Sequence, residues 1–431
     1  MESPAAATNP RIAVFLICIA AALLLSFQAG KIWLADYRVH TDRVDQMERG
    51  IALEPRNGAA WDRTGRVRQT DFENPDPAGA LADFQKAVQY DSLSADYWMD
   101  LAGAYEAAGN LPLARDAFDR ARHIYPGSAQ VAWIYGNFLL RQDEFDEGFA
   151  QLNQAARTDP NLVPLAISRS WHSNQDVHLL LDKVLPANDD AYFQAIDFMA
   201  AAGQPAPALV IWERILSLGR PVALPRSFPL LELLIHADRA EEASRTWREA
   251  LAAAGLPHAE PSSGSLIWNG DFSSDFSEGG LGWRWNSPFG AAIDFDAPPA
   301  PGGRSVRLDF GGAANVDLTA PLEFVPVEPA RSYHFHAMVH TEGLTTESGI
   351  LFAISDPNHS RALNILTENL TGSQTWRSVD ADFATGSETH FLLIQLRRFQ
   401  SRLFENRLNG TAWIADISLK PSTGGERQPA Q

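Results

Sequence analysis

Three histidines lie close together in the segment YHFHAMVH, residues 333–340. The alternation of apolar and polar residues predicts a β-strand from which His334, His336 and His340 project on the side opposite the core. Imidazole is a common zinc ligand, but alternate residues of a strand stand about 7 Å apart, so all three cannot bind one ion without a bend. Two of them could do so with a third ligand from a neighbouring strand. Alternatively, the three form a solvated polar face.

The chain carries none of the short motifs that mark common catalytic sites. It has no G-x-S-x-G elbow, no Walker A loop, no H-E-x-x-H and no G-x-G-x-x-G. A glycosidase needs two facing carboxylates, and no acidic pair stands in a recognisable catalytic context. Asp189 and Asp190 are better explained as favourable charges at a helix N-terminus. We therefore expect a protein that is not an enzyme.

The charge balance argues against nucleic acid as a partner. The 431 residues include 35 basic and 53 acidic side chains, which give a net charge of −18 at pH 7. Nucleic-acid phosphates require a basic surface. The single cysteine, Cys18, excludes an intramolecular disulfide and a cysteine-based metal site.

An apolar run near the start, Ile12 to Ala29, predicts an N-terminal membrane anchor. Only Ser26 and Gln28 interrupt it, and as a helix it reaches roughly 27 Å, close to the thickness of the bilayer hydrocarbon. A cleaved signal peptide is the alternative, although a cut after Ala29 would leave bulky Phe27 where a small residue is preferred. We expect a single-pass protein of the inner or plasma membrane.

A helical repeat follows, between about Asp36 and Gly255. In residues 95–126 small and aromatic side chains recur at helical spacing on two successive helices, with a turn at Gly109 and Asn110. This segment resembles the tetratricopeptide repeat (TPR). The second-helix pattern recurs at Ala80, Phe84 and Ala87, at Ala208, Trp212 and Ile215, and at Ala243, Trp247 and Ala250. Five to six helical pairs are expected.

The TPR resemblance implies a groove that binds a peptide or protein partner. Residues of the first helices that lie beside the packing stripe would face this groove. The candidate groove residues are Asp96, Met99, Trp133 and Asn137. Trp133 is not required by the packing pattern, so it could contact a ligand or pack against a neighbouring helix or domain.

Beyond a proline- and serine-rich linker, residues 257–264, the pattern changes to short alternating segments. They are RSVRLDFGG, RSYHFHAMVHT, GILFAIS, TWRSVDADF, THFLLIQLRRF and TAWIADISL. Eight to ten strands without a helical period predict an antiparallel β-sandwich or jelly roll.

The order of landmarks in this half resembles the carbohydrate-binding modules of families 4, 9 and 22. The landmarks are NGDF at 269–272, GW at 282–283, GGRSVRLDF at 302–310, YHFHAMVHTEGLT at 333–345 and AWIADISL at 412–419. The resemblance implies a non-catalytic module that binds a glycan on a sheet face or at a loop rim. It also places Trp283 and Trp376 in the core.

Glycan binding requires aromatic faces and polar side chains, and basic residues suit an acidic sugar. The candidate glycan-binding residues are Trp285, Phe289, His334, His336, Arg397 and Arg398. Modules of this group often carry a structural calcium ion, and the resemblance assigns its position to Asp271 and Asp416. Ser273 and Ala415 replace two usual carboxylates, whereas calcium prefers six to eight oxygen ligands. No other cofactor is expected.

The fold class predicted is multidomain, α plus all-β. The expected segments are an anchor at 1–34, a TPR-like solenoid at 35–256, the linker at 257–264, the sandwich at 265–421 and a disordered tail at 422–431. Such a chain would dock a protein on the solenoid and a glycan on the jelly roll, in polysaccharide synthesis, export or surface attachment, with its bulk periplasmic or extracellular. The alternative is an assembly scaffold whose jelly roll no longer binds sugar.

Overall fold

A computed structural model describes residues 10–71, 73–256, 264–300, 303–359, 361 and 363–422. The chain divides into two compact units, Met1–Pro186 and Ala187–Gln431. The predicted linker, except Gly264, and residues 423–431 of the predicted tail lie outside the described residues.

The first unit is helical. Its α-helices are α1 (Pro10–Val39), α2 (Val44–Leu53), α3 (Gly58–Thr70), α4 (Pro77–Tyr90), α5 (Ala95–Ala107), α6 (Leu111–Ile124), α7 (Ala129–Arg141), α8 (Phe145–Thr158), α9 (Val163–Ser173) and α10 (Val177–Leu179), which continues into a π-helical turn, Leu180–Val184. Helices α3 to α8 pack as three successive antiparallel pairs, as the repeat predicts.

Helix α1 contains the apolar run. The segment Val14–Val39 is the one described helix long and apolar enough to cross a membrane. Its residues 14–30 are exposed, whereas Ala35 and Val39 near its end are buried. A signal sequence near an N-terminus has the same properties, so the helix is compatible with both alternatives raised by the sequence.

Short polar residues and glycines set the ends and the spacing of the repeat helices. Ser94 and Ser128 cap α5 and α7, each accepting a hydrogen bond from a backbone N–H of the first turn. Gly65 lies against the ring of Phe84, so close that a Cβ atom there would stand 2.8 Å from the ring. A small residue at this crossing lets α3 and α4 pack closely.

The described part of the second unit begins with four α-helices and a 3-10 helix, Leu224–Ser227, and ends with two antiparallel sheets. The helices are α11 (Asp189–Ala201), α12 (Pro205–Ser217), α13 (Phe228–His236) and α14 (Ala240–Ala253). The strands are β1 (Ala291–Ala300), β2 (Gly303–Gly311), β3 (Leu322–Pro326), β4 (Ser332–Leu344), β5 (Leu351–Ser355), β6 (Asn364–Leu366), β7 (Gly372–Ala384), β8 (Phe391–Arg397) and β9 (Asn409–Pro421). The five-stranded sheet has the order β1-β2-β9-β4-β7, and the four-stranded sheet β3-β8-β5-β6.

The sandwich core contains the apolar residues that alternate along these strands. Trp283 is 1% exposed and lies among them, with Val306, Leu308 and Phe335. Along β4 every second residue from Tyr333 to Val339 is buried, so the intervening histidines and Met338 lie on the outer side. The alternation predicted for this strand is thus present.

Helices α13 and α14 pack against the sandwich within the second unit. Trp247 meets Trp268 edge-on at 6.2 Å between ring centroids, and its ring lies 2.5 Å from where a Cβ of Gly280 would stand. Asp238, just after α13, pairs with His390 of the sandwich at 2.7 Å. The glycines at the start of the sandwich leave room for these aromatic side chains, which pack directly against the backbone of that segment.

Candidate functional site

The outer face of the five-stranded sheet brings polar residues of three strands together. His334 and His336 of β4 stand opposite Asp382 and Asp380 of β7, and antiparallel partners share a face. On the other side of β4, His336 stands opposite Ser418 of β9. This sheet register creates a cluster that residues 333–340 alone do not contain.

The histidine–aspartate cluster comprises His334, His336, Asp380, Asp382 and Asp416. His334 Nδ1 lies 2.8 Å from Asp382 Oδ1, and His336 Nδ1 lies 2.7 Å from Asp380 Oδ1. An ionised carboxylate only accepts hydrogen bonds, so each imidazole donates through Nδ1. Its side chains are partly open to solvent, with His336 at 26% and Asp380 at 41% exposed.

A β-bulge places Asp416 in this cluster. His336 pairs with Ser418 and Met338 with Ala415, so β9 has one extra residue at this point. Asp416 has a φ of 46°, the left-handed conformation that aspartate tolerates better than most residues. The bulge lets both Ala415 and Asp416 leave the core side, while Ile414 and Ile417 remain in the core.

The electrostatics of the cluster favour an ionised Asp380. Partial desolvation acts to raise its pKa, but hydrogen bonds from His336 and Ser378, with the charges of the two histidines, outweigh it and hold the pKa of Asp380 below its ordinary value. The cluster therefore keeps a carboxylate charge between two imidazoles.

An aromatic strip lies on the same outer face. The ring of His340 lies 4.8 Å from Trp413 of β9 and 5.7 Å from Trp376 of β7, and Arg307 of β2 stands opposite Trp413. The prediction that Trp376 belongs to the core was wrong, because its ring is half-buried against His340 on the outer side of β7. Trp283, predicted with it, is in the core.

The two predicted aromatic glycan contacts have opposite environments. Trp285 is only 7% exposed and packs in the sandwich core, so its ring faces are closed to a sugar. Its segment pairs with the sandwich through Arg284, which bridges to Leu322, and therefore does not form the open loop that was expected. Phe289 lies in the loop before β1 and is 86% exposed.

The two predicted arginine contacts do not join the histidines. Both are near the end of β8, in the four-stranded sheet, whereas His334 and His336 are in the other sheet. Arg398 is fully buried, and its guanidinium donates hydrogen bonds to Ser348 O, Asn315 Oδ1, Val316 O, Thr346 Oγ1 and Asn406 O. It is closed to a glycan. Arg397 pairs with Asp317 at 2.6 Å and stacks on Phe399.

The residues assigned to calcium have separate partners. Asp271 Oδ1 accepts a hydrogen bond from Ser273 N within its own turn, whereas Asp416 Oδ2 faces His336 Nε2 at 3.9 Å. Among the described residues, the group of acidic or histidine side chains that converges is His334, His336 and Asp380 instead. With two imidazoles and one carboxylate, that group lacks the oxygen ligands that calcium prefers.

The first unit contains a different kind of site, a concavity of about 340 Å³. It is lined by Arg66 and Gln69 of α3, by Asp96, Met99, Asp100 and Gly103 of α5, and by Gln130 and Ile134 of α7. These are the first helices of three successive pairs. We call this concavity the solenoid groove.

An ion cluster lies at the groove, and Asp62 is its buried member. Arg66 bonds to Asp62 of its own helix and to Asp100 of α5, the latter at 2.8 Å. Burial, and then the negative charge of Asp100, raise the pKa of Asp62 to about 7. Asp62 Oδ1 has no hydrogen-bond partner among the described residues, so a proton there would face Asp100.

The four predicted groove residues fall into two pairs. Asp96 and Met99 line the groove, with Asp96 exposed and Met99 at 7% exposure. Trp133 and Asn137 are not among its lining residues. Asn137 is buried and donates from Nδ2 to Trp133 O one turn earlier in α7. The groove role of these residues stays a prediction.

The residues that the sequence analysis missed are the partners on neighbouring elements. Asp380 and Asp382 alternate with Val379 and Phe383 in β7, so a period of two places them on one face. That signal was readable in the sequence. Which strand lies beside β4 was not, because pairing between distant strands leaves no mark in either one.

Comparison with known proteins identifies the repeat. The tetratricopeptide repeat model matches residues 72–132. No curated protein sequence matches the chain. Because the repeat model spans less than half of the chain, it identifies a TPR-type segment.

Solved structures similar to this chain include both fold types. MamA is 16% identical, with 40% of this chain and 85% of that chain covered and a TM-score of 0.27. YrrB, described as a TPR protein with an unusual peptide-binding site, is 15% identical, with 49% and 94% covered and a TM-score of 0.24. A family 4 carbohydrate-binding module is 14% identical, with 36% and 98% covered and a TM-score of 0.27. The chain is therefore identified as a protein with a TPR-type segment, and its second unit contains a two-sheet β-sandwich.

Proposed function

We propose that this chain is a scaffold that docks a partner protein by binding a peptide segment in the solenoid groove. The observation that supports it is that the first helices of three successive pairs line one concavity. Aligned first helices form the ligand surface of such solenoids. The TPR-type match of residues 72–132 includes α5 and the start of α7.

The groove chemistry suits a basic residue beside an apolar one. Asp96 is exposed at the groove, and Asp100 adds a second carboxylate, against the single cation of Arg66. Met99 and Ile134 supply an apolar floor. A lysine or arginine of the ligand would meet Asp96, while a neighbouring aliphatic side chain would bury surface against Met99.

The test is selection of ligands from a random ten-residue peptide library by the full chain in detergent micelles. Selected peptides should carry Lys or Arg next to Leu, Ile or Val. The Asp96→Lys variant should weaken their binding by tenfold or more, which corresponds to about 1.4 kcal/mol. The matched control is Asp116→Lys on α6, an exposed acid outside the groove lining. Equal affinities for the two variants would contradict the assignment.

The second element of the proposal is the membrane tether. Helix α1 anchors the chain, as its length and exposed apolar side chains allow. An anchored protein should remain in the membrane fraction after alkaline washing, and mass spectrometry should find residues 10–39 retained. A mature chain that begins after Ala29 would instead identify a cleaved signal.

A glycan is the second candidate ligand, supported by the aromatic strip. Trp413, His340 and Trp376 present half-buried rings on one sheet face, with the cationic Arg307 beside them. Aromatic faces of this kind stack on the CH groups of sugars. Together with the anchor, such a strip would suit an envelope protein that acts in polysaccharide synthesis, export or surface attachment.

Calorimetric titration of the full chain with neutral and acidic polysaccharides tests the glycan proposal. Binding should weaken at least tenfold in Trp413→Ala and Trp376→Ala. The control is Phe404→Ala, which removes a ring that is 99% exposed and lies outside the strip. Absence of binding by the folded chain to every polysaccharide would favour the alternative, a protein-assembly scaffold whose sandwich no longer binds sugar.

A further inference from the structure

The histidine–aspartate cluster has donor atoms at distances close to those of a metal site. One donor atom from each of His334, His336 and Asp380 lies within 4.8 Å of the others. In a tetrahedral site with bonds of about 2.1 Å, donor atoms stand about 3.4 Å apart. His334 Nε2 lies 3.5 Å from Asp380 Oδ1, which already fits. The 2.7 Å between His336 Nδ1 and Asp380 Oδ1 would have to widen by roughly 0.7 Å.

The contacts of His334 prepare it to bind a cation. Its Nδ1–H donates to Asp382, so in the neutral imidazole the lone pair is on Nε2. That lone pair faces Asp380 Oδ1, which is also an acceptor. A cation placed between these two acceptors would satisfy both of them, as a proton or a water molecule also could. Metal-binding histidines characteristically donate their other N–H to a carboxylate, as His334 does to Asp382.

His336 has the same arrangement with its nitrogens exchanged. Its Nδ1 faces Asp380, the shared ligand, and its Nε2 faces Asp416 Oδ2 at 3.9 Å. If Nδ1 binds a metal ion, the proton of the neutral ring moves to Nε2, where Asp416 can accept it. The β-bulge that turns Asp416 outward therefore supplies the supporting carboxylate for the second histidine.

We propose that His334, His336 and Asp380 bind a divalent transition-metal ion of the zinc class, with one coordination position open to solvent. Two imidazoles and one carboxylate match the ligand preference of zinc. The same donor atoms also bind copper and nickel. The cluster has three carboxylates, with Lys420 of β9 opposite His334 as the facing cation, so a dication lowers the net negative charge. The proposal is independent of the groove and of the aromatic strip.

The test uses the untagged full chain in detergent micelles, stripped with a chelator and then titrated with Zn²⁺ against a chromophoric competitor. We expect one Zn²⁺ to bind per chain, and Co²⁺ in its place to give the intense visible absorption of a four-coordinate site. His334→Gln, His336→Gln and Asp380→Asn should each weaken Zn²⁺ binding at least tenfold. Zn²⁺ should also raise the thermal midpoint of the wild-type sandwich and of none of these variants.

Two controls keep the result specific. His340 lies on the same face of β4 but outside the cluster, and His123 lies on the exposed side of α6. The variants His340→Gln and His123→Gln should therefore bind Zn²⁺ like the wild type. Far-ultraviolet circular dichroism must show native secondary structure in every variant, and a variant that fails this check is replaced by Asp380→Ser, His334→Asn or His336→Asn. A folded wild type without a stoichiometric site, or cluster variants that bind like the controls, would overturn the proposal.

Discussion

The solenoid groove and the outer face of the five-stranded sheet both collect side chains from three neighbouring elements, but they do so differently. In the groove, α3, α5 and α7 are repeats of one unit, so equivalent positions recur about one repeat apart in the chain. On the sheet face, Asp380 and Asp416 reach His336 across strand pairs of unrelated sequence. The surface residues of a repeat can therefore be predicted from the local sequence. The surface residues of a sheet depend on which strands pair and in which register.

The largest expected effect is a loss of stability in the sandwich, caused by a substitution beside the bulge of β9. A Cβ at Gly270 would stand 2.0 Å from the carbonyl oxygen of Ile417, next to the bulge that positions Asp416. Backbone cannot move aside as a flexible side chain can. Gly270→Ala should therefore lower the free energy of unfolding of the sandwich by about 3 kcal/mol or more, measured by chemical denaturation. Gly311→Ala in β2, with open space around its Cβ, is the control and should change little.

A second experiment separates the two arginines that the sequence treats as equivalent. Arg398→Gln removes a buried guanidinium and leaves several acceptors unpaired, so it should lower stability by about 3 kcal/mol. Arg397→Gln breaks a pair with the half-exposed Asp317 and one hydrogen bond to Leu318 O, and should lower stability by only about 1 kcal/mol. Thermal unfolding of both variants measures the difference. Equal losses would refute the structural role assigned to Arg398.

A third experiment uses pH to examine the ion cluster of Asp62, Arg66 and Asp100 at the groove. The pKa of Asp62 is raised from 3.8 to about 7, so between these values the folded protein binds a proton that the unfolded chain releases. The stabilisation that the proton on Asp62 gives to the folded state is thus complete below about pH 4, and it is lost as the pH rises through about 7. The full shift of this pKa corresponds to about 4 kcal/mol, and we expect at least half of it, roughly 2 kcal/mol, to be lost from the hydrogen-exchange protection of α3 and α5 between pH 4 and 8.

Hydrogen exchange of peptides from α3 and α5 measures this loss, corrected for intrinsic exchange rates at each pH. Asp62→Asn offers an amide donor to Asp100 at every pH and should remove the slope. A slope that persists in this variant would show that another group titrates.

The smallest expected effect is a stabilisation in the solenoid. Gly103 lies within α5 with no atom within 4 Å of a Cβ built on it, so alanine fits there without contact. Gly103→Ala should raise the stability of the first unit by about 1 kcal/mol, because alanine loses less conformational entropy in a helix. Because Gly103 also lines the groove, the variant should bind the peptides selected by the wild type with lower affinity. If the variant is more stable but its affinity for the peptides is unchanged, the peptides do not contact this part of α5.

The sequence predicted most of the secondary structure, because both periodicities are local. Ala102, Phe118 and Ala121 recur at helical spacing and are buried in α5 and α6. In β4 the alternation correctly separates Phe335 from the histidines beside it. The prediction that two of those histidines could combine with a ligand from a neighbouring strand corresponds to the position of Asp380 opposite His336.

Failures of prediction occur where the environment depends on distant segments. Trp285 and Arg398 look like contact residues in a loop and at a strand end, but both are enclosed. Trp376 has the opposite fate and lies on the outer face. One residue of register or one bulge exchanges the two faces of a strand, and neither is visible in the strand itself.

The sequence alone determined the kinds of element, their order and the change from helix to strand near Gly264, because periods of 3.6 and 2 residues follow from backbone geometry. Tertiary structure decided which side chains meet. It placed Asp382 and Asp416 beside the two histidines, and it closed Arg398 within carbonyl oxygens. These contacts join residues far apart in the chain, so their free energy depends on how the whole sheet is assembled.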